Sequence, residues 1–65
     1  MLRDFQQRVV EEKSDLDGKI DKLRAFVKTA VFHRLPVEEK ARMDDQLAVM
    51  RDYSKILSRR IEAFQ

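Results

Sequence analysis

The stretch PVEEKARMDDQLAVMRDYSKILSRRIEAF, residues 36–64, decides the fold. Met43, Leu47, Met50, Ser54, Leu57, Ile61 and Phe64 recur along it at unbroken steps of four and three. That spacing lays one continuous stripe down an α-helix. Pro36 cannot continue a preceding helix but suits the first position of a new one. Glu38 and Glu39 then fall in the first turn, where negative charge opposes the positive helix end.

Upstream, the same spacing runs from Phe5 to Ala30. Val9, Leu16, Ile20, Leu23, Val27 and Ala30 keep step once Lys13 fills the missing place. Asp4 reads as the N-cap, and Asp4/Arg8 and Asp15/Lys19 are acid-before-base pairs four residues apart. Gly18 is the one interior breaker. The apolar phase crosses it without a slip, which suggests a tolerated glycine costing about 1 kcal/mol against alanine. A break at Asp17-Gly18, with Ser14 or Asp15 recapping, is the alternative.

Between the two periodic stretches, Thr29 to Leu35 holds the turn. Thr29 is placed to cap one extra helical turn, and Phe32 and Leu35 to fold back over the hairpin end. The expectation for residues 1–65 is one all-α domain, an antiparallel two-helix hairpin that assembles into a homo-oligomeric helical bundle. Its helices cover about 4–30 and 36–64, joined by a turn at about 31–35.

Size bears on association. A 65-residue chain without cysteine and with a single histidine, His33, has neither disulfide staples nor the ligands for a zinc site. No metal and no cofactor is expected. Val49, Tyr53 and Ile56 lie off the seam of the second helix, and Val10 and Phe26 off that of the first. A hairpin buries one stripe per helix, so these five are read as an oligomer interface.

Charge narrows the function. Fourteen Lys+Arg against 12 Asp+Glu leave a net of +2, with signs interleaved. Duplex-binding surfaces carry a basic stripe because phosphate neutralisation supplies their affinity, so no duplex partner is expected. No stretch has membrane-spanning or signal-peptide character, and a cytoplasmic setting without a membrane partner follows as the expectation. Ser14, Ser54 and Ser58 have no histidine at a helical neighbour position. The carboxylates alternate with bases as on solvated faces, and Asp15, Asp17 and Asp21 lack the twelve-residue calcium-loop pattern. The reading is a binding protein and not an enzyme. Lys13 sits in the seam itself, while Arg8, Lys19, Lys22 and Arg60 flank it. Either they lay their stems on the apolar stripe with their heads in water, or they surround an anion shared between subunits.

The run from Asp4-Phe5-Gln6-Gln7-Arg8 through Val9-Val10-Glu11-Glu12-Lys13, then Leu16-Asp17-Gly18-Lys19-Ile20-Asp21-Lys22-Leu23-Arg24-Ala25-Phe26, resembles a family of small phage proteins. The likeness continues through Phe32, Leu35-Pro36, Gln46 to Met50, Tyr53-Ser54, Ile56-Leu57 and Arg60 to Phe64. The family is that of the phage cyclic-nucleotide sponges, which counter the CBASS and Thoeris immune systems. The resemblance implies a homo-oligomer, often a hexamer, that sequesters cyclic di- or trinucleotides in the cytoplasm of the infected bacterial host without cleaving them. It implies an aromatic at Phe5, a lysine at Lys19 with Lys22 as its rival, and an arginine at Arg60 as ligand contacts. Arg8 joins them or makes an inter-subunit ion pair with Glu12. A helical adaptor or inhibitor with no nucleotide ligand is the competing reading, and a small nucleic-acid-associated protein a weaker third.

Overall fold

The first helix starts where Gln6 turns back on the chain before it. The Arg3 N–H donates to the Gln6 Oε1 at 3.0 Å, satisfying a backbone donor at the helix entrance. In the computed structural model, which describes residues 2–64, α1 spans Asp4–Phe26, α2 Ala30–His33 and α3 Val37–Glu62. The N-cap is Arg3, so Asp4 is the first helical residue and not the cap. Its carboxylate still opposes the helix dipole from there.

α1 runs through Gly18 without a break, because nothing in the apolar phase changes there. It ends four residues short of the expected position near residue 30. Thr29 adopts an extended backbone, and its hydroxyl donates to the Phe26 carbonyl at 2.7 Å while accepting from the Phe32 N–H at 3.2 Å. One side chain thereby satisfies the end of α1 and caps α2. Ala30, expected on the seam, is exposed as a result. Phe32 folds back as expected and is buried, edge-on to Phe26 with ring centroids 6.1 Å apart. Pro36 is the N-cap of α3, one place before the helical position the sequence suggested, and its carbonyl accepts from Glu39 and Lys40 N–H at 3.0 Å each.

α1 and α3 pack along their length as a hairpin 47 × 14 × 13 Å in extent. Val9, Ile20, Phe32, Leu47 and Leu57 form the buried core, with Leu57 wholly inaccessible. Leu16, Leu23, Val27, Met43, Met50, Ile61 and Phe64 are half-buried along the same seam. At the open end the seam begins with Gln6, which is buried, and not with Phe5. Phe5 stands half exposed, meeting Phe64 edge-on at 6.5 Å.

Candidate functional site

Midway along the seam, Lys13 occupies the position its spacing predicts, but its head does not run out to water. The Lys13 Nζ donates to Asp17 Oδ2 at 2.6 Å and across the hairpin to Ser54 Oγ at 3.1 Å. Ser54 in turn donates to Asp17 Oδ1 at 2.5 Å. The three groups close a triangle that satisfies polar atoms on an otherwise apolar seam. The hydrogen bond from Lys13, then that from Ser54, hold the Asp17 carboxyl below the usual carboxylate range, against a smaller opposing effect of burial. Ser54 here gives its proton to a carboxylate already matched to an ammonium, an arrangement that positions a hydroxyl without activating it as a nucleophile.

Beside this lock, the helix pair leaves a shallow groove of about 430 Å³. Leu16 and Tyr53 supply its apolar surface, and Arg8, Glu11, Glu12, Asp15 and Lys19 its polar edge. Of the five residues proposed as ligand contacts, the groove unites Arg8 and Lys19. Phe5 lies at the open end against Phe64, and Lys22 is exposed one turn beyond Lys19, outside the lining. Arg60 is also exposed and outside the lining, although it follows Tyr53 by seven residues and so shares its side of α3. The antiparallel register, with Lys13 facing Ser54 and Phe5 meeting Phe64, places Arg8 roughly level with Arg60. Ion pairs among the described residues are Lys13–Asp17 and Glu39–Arg42, so the cations of the groove stand unpaired there. Three carboxylates against two cations leave this edge without a positive excess in one protomer.

The five residues read as an interface fall into two groups. Val49, Tyr53 and Ile56 are exposed on α3. Val10 is half-buried, and Phe26 is half-buried against Phe32 within the protomer. Tyr53 belongs to both groove and exposed face. The acidic edge from Glu11 to Asp15 had no sequence signal distinguishing it from solvated charge.

Among the described residues, no helix is long and apolar enough to cross a membrane. No curated protein and no solved structure matches the chain. The family model described as Sequestin matches residues 3–63, a span that takes in all three helices, the seam lock and the groove. The chain belongs to the Sequestin family.

Proposed function

We propose that this chain is a sequestering protein for cyclic di- or trinucleotide immune signals, acting as a homo-oligomeric phage sponge in the cytoplasm of an infected bacterial host. Family membership over residues 3–63 carries the sequestering role. The groove supplies chemistry suited to the ligand class: an aromatic ring for a base, and a guanidinium and an ammonium for phosphates. Its three carboxylates make the reading depend on cations from a second protomer or from Arg60, because an isolated groove would not favour a polyanion. Capture without cleavage requires only a well-populated bound state, and stoichiometric binding withholds the signal from its effector.

The test is calorimetry with a panel of cyclic di- and trinucleotides and cyclic ADP-ribose isomers. One of them should bind and be recovered chemically intact after heat denaturation of the complex. Lys19→Ala or Arg60→Ala should weaken binding about ten-fold or more, the effect of losing a charge-assisted hydrogen bond, with the association state retained. Silence across the panel sinks the proposal. The adaptor reading draws on the exposed Val49, Tyr53 and Ile56. It predicts that a charge at Tyr53 or Ile56 abolishes function in a chain that never responded to nucleotide.

A further inference from the structure

α3 has two apolar faces, and α1 covers one of them. The uncovered face carries Val49, Tyr53 and Ile56 at positions i, i+4 and i+7, with exposures of 67%, 40% and 44%. Arg42 and Gln46 extend the row toward the turn, and Arg60 and Ala63 extend it toward the open end. The row is thus about 32 Å long at 1.5 Å per residue, with its apolar middle flanked by Gln46 on one side and Arg60 on the other. Beside it runs a flanking row of Asp45, Asp52 and Arg59, also exposed. Asp52 and Arg59 border the depression around Ile56.

We infer that this face of α3 docks on the same face of a second copy of the chain, antiparallel, about a two-fold axis between Tyr53 and Ile56. An isologous contact requires a self-complementary surface, and the flanking row has that property in one direction only. It is acidic before Tyr53 and basic after it. Antiparallel pairing sets Tyr53 against Ile56 of the partner subunit and Asp52 against Arg59 of the partner subunit, each twice by symmetry. Parallel pairing would instead carry this flanking row to opposite sides of the contact in the two copies, so that Asp52 and Arg59 of one copy would meet neither partner and the ion pairs would be lost. Because Tyr53 lies both on this face and in the groove, the docked copy also walls the groove that one protomer leaves open. The inference deepens the sponge reading by naming the surface through which self-association completes the site.

Light scattering on charge-swapped chains tests it. Asp52→Arg alone, and Arg59→Asp alone, each put like charges together twice and should raise the dissociation constant about ten-fold. The double swap in one chain, D52R with R59D, restores both antiparallel pairs and should return association to the wild-type level. A parallel contact would gain nothing from the double swap. Ile56→Asp should abolish this contact outright. Circular dichroism should stay helical throughout, since all three positions are exposed. Unchanged mass in both single swaps and Ile56→Asp, or a double swap no better than the singles, overturns the interface. Nucleotide calorimetry on the wild-type chain separates the two failures. Nucleotide binding by the wild-type chain, with association unchanged in the swapped chains, refutes the interface and keeps the sponge, whereas an intact contact with no nucleotide response does the reverse.

Discussion

Lys13 and Ser54 sit where a simpler hairpin would place apolar side chains, and Asp17 stands beside them at the seam's edge. Removing one member strands the others, so Ser54→Ala should lower stability by about 1 kcal/mol, read from the shift of a urea midpoint. Replacing Lys13, Asp17 and Ser54 together by leucine, alanine and alanine should cost less than the sum of the single changes, since no polar group is then left without a partner. The lock also titrates. Asp17 is depressed below its ordinary value of 3.8 in the folded chain, so its contribution is complete above that pH. It is lost as pH falls through the lower, folded value. An Asp17→Asn chain should therefore trail the wild type at neutral pH and converge with it in strong acid, by urea titration across that range. The place of Lys13 in the seam was legible from the four-three spacing. The direction of its head was not, because a four-carbon stem reaches water or the facing helix equally well, and the serine that decides it lies 41 residues away.

At the scale of the elements, termini and breakers carry the sharper expectations. Thr29 holds the end of α1 and the start of α2 through one hydroxyl. Thr29→Ala should cost about 1 kcal/mol, with thermal unfolding as the readout. Gly18 is the opposite case. A Cβ built there meets nothing within 4 Å, and α1 continues through the position. Gly18→Ala should raise stability by about 1 kcal/mol in the isolated protomer. Both long helices were readable because each carries many turns of one periodic stripe. The end of α1 was not, because Val27 and Ala30 continue the apolar rhythm past the residue where Thr29 redirects the backbone. At the other end, Gln6 outcompetes Phe5 for the seam by capping as well as packing, a combination that hydrophobic periodicity does not register.

Taken whole, the molecule is a single seam in which, among the described residues, one side chain, Leu57, is wholly inaccessible. Leu57→Ala should cost about 2–5 kcal/mol, a large share of what a chain this small can possess, and should leave a sample with weakened cooperative melting. The hairpin itself follows from two matched stripes and a proline. The groove does not, because Arg8, Lys19 and Tyr53 become neighbours only after the antiparallel register is set. Spacing within one helix says that Arg8 and Lys19 flank the seam. It says nothing about which residue of α3 stands across from them. The same dependence explains why Lys22 could not be separated from Lys19 by sequence, though the groove includes only the latter.

The seam lock also governs how the length of this chain can change over time. Lys13 meets Ser54 near mid-hairpin, and Phe5 meets Phe64 at the open end. Deleting one residue between Phe5 and Lys13 would turn one contact about 100° away from the other around the helix axis. An insertion in α3 between Ser54 and Phe64 would do the same. A residue gained or lost between Lys28 and Leu35 disturbs neither contact. Length variation among related chains should therefore collect at the turn, while the helical arms vary by substitution at constant length.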